Sequence, residues 1–179
     1  MVMQRDPIHP WQWSCPNDSV VSLDVNPTFQ PDILADILTW DYKGVFQPLE
    51  FMVIACSPPC TDYSTAMTCR PRRLDHAGRL VKRALEIVDY LQPEFWFLEN
   101  PRKGLLRTRP VIQGVPYTDI EYCQFSDWVY QKSTRFWGPP SLAHLPPLLC
   151  DRKKRQNLQK RALGGRYKSK TFEQIHFQG

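Results

Sequence analysis

The residues with the clearest chemical content are Cys60 and Glu99. Cys60 closes the stretch Ile54-Ala55-Cys56-Ser57-Pro58-Pro59-Cys60, in which an apolar run delivers a thiol after two prolines. Consecutive prolines fix φ and restrict the residue before them, so the loop is stiff and the sulfur has a defined position. A thiolate so placed is a nucleophile, whereas the same residue in a tight core turn is an inert structural cysteine. Glu99-Asn100-Pro101 ends the next apolar run, Phe95-Trp96-Phe97-Leu98. If the two runs are neighbouring parallel strands, thiol and carboxyl group meet at the carboxyl edge of a sheet, where open α/β sheets place their sites. Arg70, Arg72 and Arg73 follow Cys60. They are read either as a source of positive potential and phosphate contacts or as a solvated loop.

The elements that must position these groups are visible as hydrophobic runs. Val20-Val21-Ser22-Leu23-Asp24 is β-branched and ends on a carboxylate before Asn26-Pro27, as a buried strand ends in a loop. Residues 33–38 are apolar between Asp32 and Asp36 and fit either helix or strand. Residues 51–55 form a continuous apolar run, which implies a central strand covered on both faces. A helix follows, with Ala77, Leu80, Val81, Ala84, Leu85, Val88 and Leu91 on one face and Arg79, Lys82, Arg83, Glu86 and Asp89 opposite. Residues 95–98 read as the next strand, and residues 118–123 and 134–137 as weaker ones. Strand, helix, strand with polar residues at the strand ends predicts an α/β fold with a mostly parallel sheet.

Taken together, these motifs resemble the cytosine-C5 methyltransferase family over roughly residues 19–150. Its proline-proline-cysteine motif matches Pro58, Pro59 and Cys60, and its glutamate-asparagine motif matches Glu99 and Asn100. Its pattern of glutamine, arginine and arginine at alternate positions matches Gln131 and Arg135, with Ser133 in the middle place. The resemblance implies a Rossmann-like fold using S-adenosylmethionine. It also implies a covalent Cys60 adduct at C6 of a flipped cytosine, Glu99 on the N3 edge, and Arg135 orienting the base or polarising the adduct. Asp24 and Asp36 match the acidic residues that hold the ribose and adenine of the donor, and both could equally be strand-end carboxylates with no ligand. Ser57 and Pro58 would line the donor site, and Gln131, Asn100, Arg70, Arg72 and Arg73 would contact nucleic acid, DNA in the first instance and RNA as a variant. The family's first strand and glycine-rich turn have no counterpart, since no glycine precedes Gly44. The expected fold is therefore N-terminally truncated, with a second chain as one way to complete the donor site and an inactive nucleic-acid-binding or structural subunit as the alternative function.

Length and charge set the frame. The 179 residues suit one domain with tails: an irregular arm over 1–18, the domain over 19–150, and a basic tail over 151–179. That tail holds nine Lys/Arg against Asp151 and Glu173, a balance that favours a polyanionic partner. No apolar stretch is long enough to span a membrane and no signal-like block opens the chain, so an intracellular protein of nucleus or cytoplasm is expected. Six cysteines without paired spacing are expected to be reduced thiols, and no metal site is expected of them.

Overall fold

Two sheets and one long helix organise residues 20–125 and 132–151, which the computed structural model describes. The arm over 1–18, Gln131 and nearly all of the basic tail lie outside the described residues. β1 (Leu23–Asp24) pairs in parallel with β2 (Ile33–Leu34), Leu23 opposite Ile33. Ser22 ties the pair by donating from its N–H and Oγ to Asp32 Oδ2 at 2.9 and 2.7 Å. The strand expected over 20–24 is thus shorter, and the ambiguous segment 33–38 divides into a two-residue strand and a turn.

The second sheet contains β3 (Val53–Cys56), β4 (Phe95–Pro101), β5 (Tyr117–Glu121) and β6 (Ser133–Trp137), in the order β3-β4-β6-β5. β3 and β4 are parallel, with Val53 opposite Phe95 and Cys56 opposite Leu98. β6 runs antiparallel to both β4 and β5. The fold is therefore mixed α/β, and the expected mostly parallel sheet is corrected. Among the described residues only the β3–β4 connection carries a long helix, and β6 lies antiparallel beside β5. Among the described residues β3 has β4 as its only strand neighbour, an edge rather than the central place its hydrophobicity suggests.

α1 (Leu74–Leu91) is that crossover, and its 3.6-residue period buries Ala77, Val81, Ala84, Ile87, Val88 and Leu91. These pack with Ile54, Cys56, Leu98 and Trp137 in one core that also includes Leu23. Each fully buried aliphatic side chain there contributes roughly 1.5–3 kcal/mol. Gln92 stops the helix in the left-handed region, φ 46°, donating its N–H to Val88 O, and Pro93 prevents continuation. Arg83, expected on the solvent side, instead donates to Ile37 O and Trp40 O at 3.1 and 3.0 Å and so fastens the β2 loop to the helix. Gly138, just after β6, is required by close approach: a Cβ there would lie 2.7 Å from Trp96 O.

Beyond Leu145 the chain returns beside β5. Leu148 donates to Asp119 O and accepts from Glu121 N at 3.0 and 2.8 Å. This brings Cys150 against Cys123, and the two form a disulfide with Cα atoms 6.5 Å apart. The expectation that all six thiols are reduced is corrected accordingly; Cys56, Cys60 and Cys69 are free. Among the described residues no helix is long and apolar enough to cross a membrane.

Candidate active site

The loop that presents Cys60 is built by residues on both sides of it. β3 ends at Cys56, and the two prolines carry the chain over the sheet edge to Cys60, whose thiol side is exposed. The Cys60 carbonyl accepts from Tyr63 N at 3.0 Å, starting a short 3-10 turn over Thr61–Tyr63. Asp62 in that turn is 7% exposed and gathers the rest of the loop. Its Oδ1 accepts from Arg70 Nη1 at 2.7 Å and from Arg73 N at 3.0 Å, and Arg73 Nε lies 3.8 Å from Oδ2. The Arg70 hydrogen bond, with that from Arg73 N–H, holds the Asp62 carboxyl below its ordinary value. Arg72 donates to the carbonyls of Ser64 and Thr65. The three arginines expected at phosphates or beside the thiol are thus engaged in shaping the loop, because a buried carboxylate and bare carbonyls recruit them first.

The parallel pairing of β3 with β4 sets Glu99 on the strand next to the one that leads into the Cys60 loop. Cys56 lies opposite Leu98, so Glu99 stands one step past the last paired residue of β3. Asn100 is fully buried, and its Nδ2 donates to Pro58 O at 3.0 Å. This hydrogen bond pins the proline loop to β4. Beneath the loop Tyr63 is completely buried, its phenol pushed up by burial, so it is core rather than a stacking platform for a base.

Glu99 and Arg135 do not share a pocket. Ladder partners project to the same side of a sheet and neighbours along a strand to opposite sides. Asn100, Arg135 and Asp119 are partners and point one way; Glu99, Phe136 and Thr118 point the other. Arg135 donates from Nε and Nη2 to the two oxygens of Asp119 at 2.7 and 2.9 Å, and its guanidinium stacks 3.6 Å from the Tyr117 ring centroid. Asp119 also takes Arg102 Nε at 3.0 Å. The hydrogen bond to Asp119 leads the causes that raise Arg135 further. This fork ties β5 to β6. On the opposite face the cation near Glu99 is Lys132, whose Nζ lies 2.8 Å from Oε1.

The acidic residues expected at a donor sit at the ends of the first sheet. Asp24 ends β1 and Asp36 follows β2 by two residues, so parallel pairing places both at carboxyl ends of adjacent strands. Each closes a local turn, Asp24 Oδ1 accepting from Asn26 N at 2.8 Å and Asp36 Oδ1 from Leu38 N at 2.9 Å. Two acceptors on neighbouring strand ends fit the hydroxyl- and amine-bearing half of a nucleoside, and neither carboxylate is buried. Ser57 is exposed at the neighbouring edge, and the Pro58 carbonyl is already taken by Asn100. A separate open cleft of about 310 Å³, lined by Leu85, Val88, Asp89, Gln92, Pro93 and Trp96, lies at the far end of α1 and is no part of this site.

Comparison with known proteins decides the family. No protein-family model matches the chain. A probable DNA (cytosine-5)-methyltransferase of Frog virus 3 (isolate Goorha) is 32% identical over 168 residues, spanning 87% of this chain and 73% of that protein. The chain belongs to the cytosine-C5 methyltransferase family. The membership agrees with the edge geometry of Cys60 and Glu99. Within this methyltransferase chain, sequence reasoning passed over Asp62, Asp119 and Lys132, three charged residues whose partners only the folded chain supplies. Asp62 left the one local signal, a carboxylate between the cysteine and an arginine cluster. Glu121, Cys123 and Cys150 also bring donor atoms within 4.8 Å of one another, but the disulfide occupies both sulfurs.

Proposed function

We propose that the chain is a DNA cytosine-C5 methyltransferase in which Cys60 attacks C6 of the target base while Glu99 engages its Watson–Crick edge. The observation that carries this reading is the placement of a rigid, exposed cysteine loop beside a strand-end glutamate, with Asn100 locking the two elements together. The target cytosine must leave the duplex to reach that edge, at a cost of roughly a few kcal/mol of unstacking and unpairing. Thiolate addition at C6 places electron density on C5 and N3, and Glu99 holds the N3–N4 edge as that density grows. S-adenosylmethionine, held by Asp24 and Asp36 through its adenosine half, supplies an electrophilic methyl group when bound. A Rossmann-like arrangement underlies this reading, and the nine cations of the tail serve the phosphate backbone.

The test is transfer of labelled methyl from S-adenosylmethionine to cytosine-containing DNA, with RNA run in parallel. Transfer that disappears in Cys60→Ala supports the reading; the same transfer in Cys60→Ala overturns it. The second reading, an inactive nucleic-acid-binding relative, is favoured by Ser133, which stands at the middle place of the glutamine-arginine-arginine pattern. Tight DNA binding with no transfer and no binding of S-adenosylhomocysteine would select it.

A further inference from the structure

We propose that Lys103, Arg107 and Arg109 form a phosphate-binding strip that holds the DNA backbone beside the target base; this rests on the Cys60–Glu99 reading above and extends it to how the duplex is held. Between Glu99 and Asp119 the chain carries four cations, Arg102, Lys103, Arg107 and Arg109, and no carboxylate. The two carboxylates that bound this segment are already matched, Glu99 by Lys132 and Asp119 by Arg135 and Arg102. Arg102 is thereby held on the sheet. Among the described residues the other three have no ion pair, and Lys103 and Arg107 are exposed while Arg109 is half-buried. Arg70 and Arg73 serve Asp62, and Arg72 serves loop carbonyls. The uncompensated positive charge next to the proline loop therefore comes from residues 103–109.

The strip lies against the cysteine loop and its backbone is fixed. Asn100, which donates to Pro58 O, leads directly into it, and a Cβ on Gly104 would lie 3.0 Å from Pro101 O and 3.5 Å from Tyr63 O. Glycine thus lets the segment close on the chain three residues beyond Cys60. Leu106 is completely buried in the core that also holds Tyr63, which roots the 3-10 turn Leu105–Thr108. Thr108 Oγ1 donates to Leu105 O at 2.8 Å, Arg109 N to Leu106 O at 2.9 Å and Gln113 Nε2 to Arg107 O at 3.0 Å. The Arg109 charge is felt at Tyr63, where burial pushes the phenol up and Arg109 opposes that rise. A duplex whose cytosine reaches Cys60 lays its flanking phosphates over the surface around that loop. Fixed cations there position the strand without reading its sequence, and their binding releases counterions.

The test is binding of the full chain to a short fluorescein-labelled DNA duplex, read by anisotropy across a salt series, which requires neither methyl transfer nor the donor. The combined variant Lys103→Gln, Arg107→Gln, Arg109→Gln is expected to reduce the steepness of log affinity against log salt by about 2–3. It is also expected to weaken binding on the order of a hundredfold at about 0.1 M salt. The loss should be the same on duplexes of unrelated sequence, because phosphates carry none. The charge-preserving combination Lys103→Arg, Arg107→Lys, Arg109→Lys is expected to keep both slope and affinity, and Lys82→Gln, on the exposed face of α1, to leave the slope unchanged. An unchanged slope in the glutamine variant overturns the inference, as does a wild type that binds no DNA. Equal loss in the charge-preserving variant also overturns it, because that marks a merely structural turn, and so does a loss seen on an RNA duplex but not on DNA. Methyl transfer measured alongside should show the glutamine variant raising KM for DNA more than it lowers kcat. A slope change without any Cys60-dependent transfer overturns the underlying reading and, with it, the placement of the strip beside a target base. Thermal unfolding of each variant separates a lost contact from a lost fold.

Discussion

Cys56 and Cys60 are four positions apart and differ in everything that governs reactivity. Cys56 is buried at the end of β3, and burial pushes its thiol up, whereas Cys60 stands exposed on the proline loop. Iodoacetamide on the native protein should therefore label Cys60 and the exposed Cys69 and spare Cys56 until denaturant is added, as read by mass spectrometry. Asn100 is the residue that keeps Cys60 where it is. Asn100→Ala removes the donor to Pro58 O and should cost about 1–3 kcal/mol in urea unfolding. The same substitution should lower methyl transfer to cytosine more than Arg72→Ala, whose side chain serves carbonyls of the outer loop.

Among elements, the loop between β3 and α1 depends on one carboxylate and α1 on one apolar face. Asp62 is held below its ordinary value of 3.8, with the Arg70 hydrogen bond the leading cause. A depressed folded value stabilises the protein above the ordinary value, and that contribution is lost as pH falls through the folded value. Wild type should thus lose thermal stability below about pH 4 more steeply than Asp62→Asn, and the variant should be the less stable of the two at pH 7. In α1, Ile87 is fully buried, and Ile87→Ala should cost about 2–5 kcal/mol through lost transfer energy and the cavity left behind. Circular dichroism during urea titration reads that cost directly. An alanine at Lys82, on the exposed face, should stay within about 0.5 kcal/mol.

For the whole molecule, the Cys123–Cys150 disulfide is the covalent constraint on how the chain leaves the fold. It joins positions 27 residues apart, beside the hydrogen bonds that hold Leu148 to β5. Reduction should lower unfolding stability by about 2–4 kcal/mol, and Cys123→Ser should abolish the response to reductant, as measured by melting with and without dithiothreitol. The two parallel ladders, β1–β2 and β3–β4, present their strand ends to the two chemistries proposed, nucleoside binding by Asp24 and Asp36 and attack by Cys60. The mixed half of the sheet serves instead to hold the edge, through the Arg135–Asp119 fork and the antiparallel pairing of β6 with β4.

The residues 54–60 and 95–101 disclosed a candidate nucleophile and a candidate acid because strand hydrophobicity, proline stiffness and the change to polar residues at a strand end are local properties. The helix over 74–91 was legible for the same reason: a period of 3.6 is written in consecutive positions. What side chains do to one another across strands is not local. Whether Asn100 reads a base or pins Pro58 depends on the β3–β4 register, and whether Arg135 or Lys132 stands beside Glu99 depends on which side of β6 each residue falls. A shift of one residue reverses every such assignment, so faces and partners were decided by the tertiary structure alone. The reversal of β6 and the meeting of Cys123 with Cys150 belong to the same class, since both follow from where the chain returns rather than from the residues that turn it.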